Sequence, residues 1–474
     1  VYKRQVLAHA APPQRAALMS VFSTMAIDAL AAAEPEDAAS FARRAIEGLR
    51  CATRASALAR AQTEQTLAAL ANAGIACEAV SVSTKGDDVQ DRSLAALGGE
   101  GVFVKELERA LEEDRADFAV HSCKDLPATA AHGMQLAAFS AREDARDVLC
   151  SEKYADFASL PAGARVGTSS PRRRTFLQAL RDDLRYDDIR GNVDTRLNKL
   201  RNGDYDAIVL AAAGLHRLNT GSTSMTPLPI DRIVPAAGQG IIAIECRAGD
   251  RLLAALLHSV LNVAASELAA TAERAFLAAM QGGCSVPIGA HAVVEDDTIR
   301  LAGAIAALDA HAIVRDHACA PATCADAAKL GRSLALTIKE RGGAALLAGY
   351  PGHAYARLRG KLIVLPRTQE RPSRIAPLLR SIGARVIEVT GEHAASAEGD
   401  PDVVLVPSSG GAAIVAGYLR ALRDRGHRPL IAAMGPASAS AIEETSFPAD
   451  VVAPIPDIDA FITAVAVRVS NQKR

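Results

Sequence analysis

The chain has 474 residues, enough for about three domains at roughly 150 residues each. Its 49% hydrophobic and 23% charged residues are ordinary for a soluble globular protein. The 53 lysines and arginines balance 54 acidic residues, so the net charge of −1 argues against a nucleic-acid partner, and a 4% aromatic content without tryptophan leaves few stacking surfaces. Recognition must therefore rely on charge and hydrogen bonds.

Cysteine usage and hydropathy indicate the compartment. Eight cysteines without a C-x-x-C pair are too sparse for a disulfide scaffold, which favours a reducing cytoplasm. No charge-free apolar run approaches the roughly 18 residues of a membrane span, so no membrane association is expected. His317, Cys319 and Cys324 match no zinc spacing, and we expect no metal. Residues 1–48 show no secretory signal and are expected to be an N-terminal extension rather than a domain.

Helices and strands are predicted to alternate from Leu49 onward. LRCAT predicts a strand that ends at Arg54, an alanine-rich helix runs to Gly74, and IACEAVSV predicts the next strand. Residues 83–101 are polar and glycine-bearing, which predicts a long mobile lid loop. A helix (VKELERALEEDRA) and the strands DFAVHS, ARVGTSS and DAIVLAAA continue the pattern. In such an α/β arrangement, ligands bind beyond the carboxyl ends of the strands.

A different unit is predicted to begin near Val263. Its helix, ELAATAERAFLAAM, leads to the turn GGCSVPIG and to three antiparallel strands broken at EDD and LDAH. A helix over residues 325–341 closes this unit, and glycines and prolines over residues 342–360 predict a linker. From Lys361 a second α/β run begins with KLIVLP and continues through DVVLVPSS and RPLIAAMG to a last helix.

Arginines are dense near the predicted loop ends. They stand at Arg54, Arg172, Arg173, Arg174, Arg190, Arg196 and Arg217. Any one alone is most simply a solvated surface residue. However, Arg172 to Arg174 follow Ser169 and Ser170 at a predicted helix start, where free N–H groups and the dipole already favour anions. Guanidinium groups there oppose the dipole unless an anion is present, and they bind carboxylate or phosphate in two-bond forks. This pattern indicates a small polyanionic substrate.

Cys284, in the glycine turn GGC, and the pair Lys124 and Asp125 are the other candidate functional residues. Most cysteines are buried small hydrophobes, and that interpretation stays open for Cys284. The two preceding glycines also let the backbone bend and expose the sulfur, as suits a thiolate used for covalent attachment. Lys124 and Asp125 directly follow a buried strand; they are either a solvated pair or functional groups. A carboxylate among arginines can stabilise a cation formed in a reaction.

Six sequence blocks together resemble the porphobilinogen deaminase family over residues 49–350. The blocks are VHSCKDLP, VGTSSPRRR, IRGNVDTRLNKL, LAAAGLHRL, PAAGQGIIAIECR and ERAFLAAMQGGCSVPIG. All six follow the family's order and spacing, and the last, with its GGC turn before VPIG, is highly specific. Chance similarity across six such blocks is negligible.

The resemblance implies three deaminase domains: residues 49–140 with 241–258, residues 146–234, and residues 263–350. The first two would resemble the lobes of periplasmic binding proteins, and the third, a small α+β domain, would carry a dipyrromethane cofactor on Cys284. Family members condense four porphobilinogen molecules into linear hydroxymethylbilane and release four ammonia molecules. The acetate and propionate groups of each pyrrole would account for the density of arginines.

The resemblance also implies residue roles. Asp125 would be catalytic, contacting pyrrole N–H groups and offsetting the positive charge formed when ammonia leaves. The positions that match cofactor-binding residues are Cys284, Lys124, Ser170, Arg172, Arg173, Arg190 and Arg217. The positions that match substrate-binding residues are Arg54, Ser56, Arg196 and Phe103. Two positions depart from the family: Ala57 replaces a usual proline, and Glu100 replaces a usual lysine on a loop expected to cover anions.

Residues 361–468 resemble part of a second enzyme of the same pathway, uroporphyrinogen-III synthase. The matching pieces are LPRT, DVVLVPSSGGA, IAAMGPASASAIEE and ADVVAPIPDIDAF. That enzyme usually has about twice this length, because a second α/β domain is inserted where this chain has its polar break at 391–401. We therefore expect a single α/β parallel-sheet domain without synthase activity of its own, and a separate uroporphyrinogen-III synthase as a possible downstream partner.

One competing interpretation is a non-enzymatic anion-binding protein, in which two α/β lobes with an arginine-lined cleft only capture their ligand. The GGC turn argues against it, because a binding protein does not need an exposed cysteine. On either interpretation the chain is expected to be a monomer with a small-molecule ligand.

Overall fold

The computed structural model describes residues 40–41, 43–45, 47–82, 104–220, 224–282, 286–350, 353–367, 374–390, 399–454 and 457–471. The predicted lid loop with Glu100, the substrate-binding candidate Phe103 and the attachment candidate Cys284 lie outside the described residues. The chain divides into two compact units. The first contains the described residues up to Ala278, Gly282–Ala304 and Asp316–Leu334; the second contains Ala279–Gln281, Ile305–Arg315 and the residues from Ala335 onward.

One five-stranded sheet of the first unit combines early and late segments. Its strands are β1 (Leu49–Arg54), β2 (Cys77–Val82), β3 (Phe118–Ser122), β4 (Met134–Phe139) and β10 (Ile242–Arg247), in the order β2-β1-β3-β10-β4. β1 is parallel to β2 and β3, whereas β10 is antiparallel to β3 and β4. The associated helices are α1 (Ala57–Asn72), α2 (Lys105–Glu112) and α6 (Arg251–Leu261). Ser56 caps α1, and Gly74 follows its end with a φ of 80°, as the sequence predicts.

A second five-stranded sheet of this unit lies between those two segments in sequence. Its strands are β5 (Asp147–Cys150), β6 (Arg165–Gly167), β7 (Arg185–Asp187), β8 (Ala207–Ala211) and β9 (Met225–Pro227), in the order β7-β6-β8-β5-β9. Helices α3 (Pro171–Gln178), α4 (Val193–Arg201) and α5 (Ala212–Leu218) follow strands β6, β7 and β8. Ser170 and Asn192 cap α3 and α4 by accepting backbone N–H groups, so each of these two helices begins just beyond a strand end.

The next segment has the helix and three strands that the sequence predicts. Helix α7 (Ala264–Ala279) precedes β11 (Ile288–Glu295), β12 (Thr298–Ala306) and β13 (Ile313–Pro321), which form a sheet in that order, and α8 (Cys324–Ile338) follows. Asp296 and Asp297 have φ values of 45° and 59°, typical of a two-residue hairpin turn. The break predicted at EDD is therefore a tight turn.

The second unit contains a parallel sheet of five strands. They are β14 (Leu362–Pro366), β15 (Arg385–Val389), β16 (Val403–Val406), β17 (Leu430–Ala433) and β18 (Val451–Val452), in the order β15-β14-β16-β17-β18. Its helices are α10 (Ile375–Ser381), α11 (Ser409–Asp424), α12 (Pro436–Glu443) and α13 (Ile458–Asn471). The strands are nearly all apolar, as is typical of a sheet covered on both faces. The described residues form four sheets with interspersed helices, which confirms the predicted α/β class.

The linker predicted over residues 342–360 is wrong. Helix α9 (Ala344–Ala348) and a 3₁₀ turn (Ala354–Leu358) occupy much of this segment. Tyr350 and Tyr355 are buried, and the Tyr350 hydroxyl donates to the carbonyl of Ala306 at 2.7 Å. Glycines and prolines here interrupt helices inside a packed segment, so they do not mark a free connection.

The end of the expected N-terminal extension is packed against the first sheet. Phe41 is 1% exposed and belongs to the same apolar cluster as Leu49 and Leu253. Arg44 forms ion pairs with Asp117 at 3.1 Å and with Asp250 at 2.7 Å. This part of the extension therefore contributes to the core of the first unit.

In the part of the chain that the structure describes, no single helix is both long and apolar enough to cross a membrane. Helices α6 and α7 reach that length and composition only as a pair, across a bend of 114°.

Candidate active site

The carboxyl end of β3 carries the two candidates Lys124 and Asp125. Buried strand residues lead into a short 3₁₀ turn, Cys123–Asp125, in which Cys123 is buried and Asp125 is exposed. Gly238 lies against this turn with a φ of +74°, and a Cβ atom there would be 2.6 Å from the Cys123 Sγ. The turn therefore depends on a glycine at position 238, because a larger residue would push against it.

Two adjoining cavities meet at this turn. The first has about 410 Å³ of open space and is lined by residues that include Arg54, Ser56 and Asp125. The second, of about 280 Å³, is lined by residues that include Lys124 and Arg217. Their shared lining residues are Leu58, Gln62 and Ser122. Lys124 and Asp125, although consecutive, thus line different cavities.

The side chains of Gln62 and Ser122 form the partition between the cavities. Gln62 Nε2 donates to Ser122 Oγ at 2.9 Å, and the Ser122 hydroxyl lies 3.1 Å from Gln62 Oε1. Sequence reasoning missed Gln62. Nothing in the sequence distinguishes Gln62 from the other polar residues of α1, such as Thr63 and Gln65.

The Lys124 ammonium is connected to the second sheet through Gln239. Lys124 Nζ donates to Gln239 Oε1 at 3.3 Å, and Gln239 Nε2 donates to Asp147 Oδ1 at 2.9 Å. Burial and the nearby positive charge of Arg173 lower the pKa of Lys124 to about 8, against the opposing charge of Asp125. A lysine with this pKa is charged at neutral pH but close to losing its proton.

Arg172 and Arg173 bind a carboxylate of the chain itself. Arg172 Nη1 lies 2.7 Å from Asp147 Oδ2, and Arg173 Nη2 lies 2.8 Å from Asp147 Oδ1. Both guanidinium groups and Asp147 are buried. Although burial opposes its ionisation, the two arginine charges hold the pKa of Asp147 well below its usual range. One carboxylate offsets only one of the two guanidinium charges, so a net positive charge remains here, and the part of these arginines in binding the cofactor stays a prediction.

Arg190, Arg196 and Arg217 lie near the starts or ends of α4 and α5. Arg196 Nε donates to the carbonyl of Gly191 at 2.8 Å, and Arg217 Nη2 donates to that of Gly240 at 2.7 Å. Burial and the charges of Arg173 and Arg190 lower the pKa of Arg196 to about 10, and burial lowers that of Arg217. Mutually repelling, partly buried cations of this kind favour an anionic ligand.

Two further candidates already cap helices. The Ser56 hydroxyl accepts from the backbone N–H of Ala59, and the Ser170 hydroxyl accepts from that of Arg173. Capping holds each hydroxyl at a helix N-terminus, where it and the free N–H groups can still contact an anion.

The site is that of an α/β protein with paired cavities lined by cations and one exposed carboxylate. Comparison with known proteins identifies the family to which the chain belongs. The family model described as porphobilinogen deaminase, dipyromethane cofactor binding domain, matches residues 49–255, and the one described as porphobilinogen deaminase, C-terminal domain, matches residues 267–340. The chain belongs to the porphobilinogen deaminase family.

Curated relatives agree with the family models. A porphobilinogen deaminase of Roseiflexus castenholzii is 49% identical over 299 residues, covering 63% of this chain and 97% of the relative. One of Moorella thermoacetica is 45% identical over 301 residues, covering 63% and 95%. Among solved structures, the periplasmic VFT2 domain of Bordetella pertussis BvgS shares 16% identity at a TM-score of 0.30, covering 48% of this chain and 92% of that domain. That score is too low to support an argument.

The family predicted from the sequence is therefore confirmed. The activity is that of a transferase, hydroxymethylbilane synthase, with porphobilinogen as substrate and dipyrromethane as cofactor in tetrapyrrole biosynthesis.

Proposed function

We propose that Cys284 carries the dipyrromethane cofactor and that Asp125 is the catalytic residue for the stepwise condensation of four porphobilinogen molecules. The observation that carries this proposal is the pair of adjoining cavities at the end of β3, with Asp125 on one and Lys124 on the other. Two of the four residues that the family resemblance assigns to substrate, Arg54 and Ser56, line the same cavity as Asp125. Arg217, assigned to the cofactor, lines the other.

Asp125 has the exposure and surroundings that its role requires. Its carboxylate can accept hydrogen bonds from the pyrrole N–H of a substrate in the first cavity. Loss of ammonia leaves a positive charge on the pyrrole, and a fixed carboxylate beside that charge lowers the barrier. Arg54, on the same cavity, can hold a substrate carboxylate and so fix the orientation of the ring.

The cations of the second cavity fit a ligand that carries several carboxylates. Burial lowers the pKa of both Lys124 and Arg217, and an anionic partner would offset that cost. Arg196, whose pKa is also lowered, is proposed to bind a carboxylate of the substrate rather than of the cofactor. Dipyrromethane, when bound, supplies the pyrrole carbon to which the first substrate is joined, and Lys124 and Arg217 would hold its acetate and propionate groups.

The attachment is tested by intact-mass measurement of the purified full-length protein. We expect the mass of the chain plus one dipyrromethane, and a colour with an aldehyde reagent specific for that group. The variant Cys284→Ser should lack both the added mass and the activity, whereas Cys324→Ser, at an exposed cysteine, should keep both. A bare-chain mass for the wild type would contradict the proposal and favour a non-enzymatic anion-binding protein.

The role of Asp125 is tested by Asp125→Asn. This variant should keep the cofactor mass but lose about 10² to 10³ in turnover, since one preorganised charge opposite a developing cation has that effect. Asp182→Asn, at an exposed aspartate, is the control and should turn over normally. A loss below about tenfold would remove Asp125 from the catalytic role.

We also propose that the deaminase part of the chain has three domains with the boundaries expected from the sequence. The domain boundaries 49–140 with 241–258, 146–234 and 263–350 are supported by the membership of the sheets, because β10 returns to the sheet of β1 to β4. The resemblance of the first two domains to periplasmic-binding-protein lobes rests on their mixed five-stranded sheets. A monomeric state and a cytoplasmic location stay predictions from the sequence.

Residues 361–468 are proposed to be a shortened uroporphyrinogen-III synthase-like domain without activity of its own. Its one parallel sheet of five strands supports this proposal, because a cleft between two domains needs a second such sheet. A separate uroporphyrinogen-III synthase would then act on the released hydroxymethylbilane.

A further inference from the structure

Helix α7 ends at Ala279, five residues before Cys284 in the sequence, and side chains from the C-terminal part of the chain contact its end. Gln281 has a φ of 51°, and the N–H of Gly282 donates to the carbonyl of Leu277 at 3.1 Å. This is the Schellman arrangement that ends a helix. The carbonyls of Ala279 and Met280, in the last turn, need other donors.

Lys339 and His353 supply those donors. Lys339 Nζ donates to the carbonyl of Ala279 at 2.5 Å, and His353 Nε2 lies 3.2 Å from that of Met280. The backbone N–H of Tyr355 donates to His353 Nδ1 at 3.2 Å, which leaves the ring proton on Nε2 to be donated to Met280. A cation beside the last carbonyls of a helix also interacts favourably with the helix dipole.

The contacts of Lys339 and His353 with the end of α7 are buried. Lys339, Tyr355 and Met280 are fully buried, and the Lys339 ammonium lies 5.2 Å from the centre of the Tyr355 ring. The Tyr355 ring in turn packs edge-on against His353, at 5.2 Å between centroids. Unlike an exposed pair, such a cluster cannot exchange these bonds for water without opening.

A third contact reaches the next residue from the last helix of the chain. Gln281 Nε2 donates to the hydroxyl of Thr463 in α13. Each of the three consecutive residues Ala279 to Gln281 thus has a hydrogen bond to a different segment of the chain. They belong to the second compact unit, whereas the rest of α7 belongs to the first. His353 and Thr463 both lie beyond residue 340, where the match to the family's C-terminal domain ends.

We propose that the C-terminal part of this chain holds the end of α7, the helix that precedes Cys284 in the sequence, through His353, Thr463 and Lys339, and that this hold speeds the attachment of the cofactor. The inference rests on the proposed attachment at Cys284. Because Cys284 follows the last residue of α7 by five positions, we expect a loosened helix end to slow the attachment reaction. His353 and Thr463 are positioning residues, since they act through Ala279 to Gln281 rather than on the reacting atoms.

The first test measures cofactor loading on full-length apo-protein incubated with porphobilinogen and followed by intact mass. His353→Leu should slow the mass gain by about tenfold or more, because it removes both the donor to the Met280 carbonyl and the acceptor of the Tyr355 N–H. His353→Gln, which keeps an N–H donor, should restore the rate to within about twofold. The matched control is His427→Leu, because His427 contacts the carbonyl of Pro401 at 2.8 Å in the same unit but on another segment.

The same comparison applies to the threonine. Thr463→Val should slow loading, whereas Thr445→Val, which removes a hydroxyl bonded to the carbonyl of Ile442, should not. Equal loading by His353→Leu, His427→Leu and the wild type would overturn the proposal. Equal slowing by both leucine variants would also overturn it, because the effect would then be a general loss of stability.

Hydrogen–deuterium exchange separates this inference from the attachment itself. Amides of the peptide over residues 279–286 should exchange faster in His353→Leu and Thr463→Val than in the two controls. If the wild type shows no mass on Cys284, the attachment fails, and the exchange result alone decides whether the helix end is held. Unchanged exchange in that peptide would overturn the positioning role.

Discussion

Asp147 is the buried counter-ion of two arginines, and its replacement tests that role. Asp147→Asn leaves the guanidinium groups of Arg172 and Arg173 buried beside a neutral amide. We expect the free energy of unfolding at pH 7 to fall by about 3–5 kcal/mol, the usual cost of breaking a buried ion pair from one side. Denaturant titration measures it. The control Asp188→Asn removes an exposed partner of Arg174 and should cost less than about 1 kcal/mol.

The same carboxylate makes a prediction about pH. Because the folded pKa of Asp147 is held below its unfolded value of about 3.9, its contribution to stability is full above that value and is lost as the pH falls towards the folded pKa. The difference in melting temperature between the wild type and Asp147→Asn should therefore be constant from pH 7 to 5 and shrink below pH 4. A difference that grew on acidification would contradict the ion pair.

Lys124 predicts a limit to activity on the alkaline side. Its pKa is lowered to about 8, so the ammonium that would bind ligand carboxylates loses its proton as the pH rises through that value. We expect kcat/KM of the full-length enzyme to decline above about pH 8. In Lys124→Arg the charge persists, and this decline should move to higher pH even if the absolute rate is lower. An unchanged alkaline limb in the arginine variant would assign the titration to another group.

Sequence reasoning could place the candidates at strand ends but not their partners. Lys124 and Asp125 follow β3, and Ser170 follows β6, as alternating helices and strands predict. Asp147 was not predicted because its contact with Arg172 and Arg173 spans 25 or more residues and depends on how β5 lies against α3. Long-range packing also decides which arginines pair with a carboxylate of the chain. The sequence alone could not show that Arg172 pairs with Asp147 whereas Arg196 contacts a backbone carbonyl.

At the scale of elements, the turn that carries Asp125 depends on the close approach of Gly238. Gly238→Ala would place a Cβ atom 2.6 Å from Cys123 Sγ, at a φ of +74° that disfavours a side chain. We expect a loss of turnover that exceeds the loss of stability, since the clash displaces Lys124 and Asp125. Gly203→Ala is a matched control, because Gly203 has a φ of +81° with nothing within 4 Å. Its kinetics should be normal; equal kinetic losses in both variants would show that backbone strain alone is responsible.

The segment from residue 342 to 360 shows why element boundaries were harder to predict than element types. Gly342, at a φ of 112°, interrupts a helical run, yet Ala344 and Leu347 beyond it are buried. A glycine gives the same sequence signal at a kink inside a packed segment as in a linker. The difference lies in the apolar residues Leu347, Tyr350 and Tyr355, whose burial depends on partners distant in the sequence.

At the scale of the molecule, the five-stranded parallel sheet from β14 to β18 is large enough to form one folded domain. Within the described residues it lacks the second domain that a synthase cleft needs. About 108 residues suffice for one domain of ordinary size. We therefore expect the full-length protein to release hydroxymethylbilane that closes spontaneously to the type I isomer of uroporphyrinogen. Chromatography of the oxidised products measures the isomer ratio, and added uroporphyrinogen-III synthase should shift it to type III. Type III product well above type I without that enzyme would show that the shortened domain is active.

Removal of the same domain tests whether it affects cofactor loading, turnover or both. A chain that ends at residue 352 lacks His353, Thr463 and the whole parallel sheet, but keeps the cavities around Lys124 and Asp125. We expect it to load the cofactor slowly, because the end of α7 loses two of its three contacts. Once loaded, it should turn over at close to the full-length rate, since the described residues that line the two cavities all lie before residue 242. Mass spectrometry measures the rate of cofactor loading. Single-turnover assays on the loaded fraction measure the turnover rate. If the loaded fraction were inactive, the C-terminal domain would contribute to catalysis itself and not only to cofactor attachment through the end of α7.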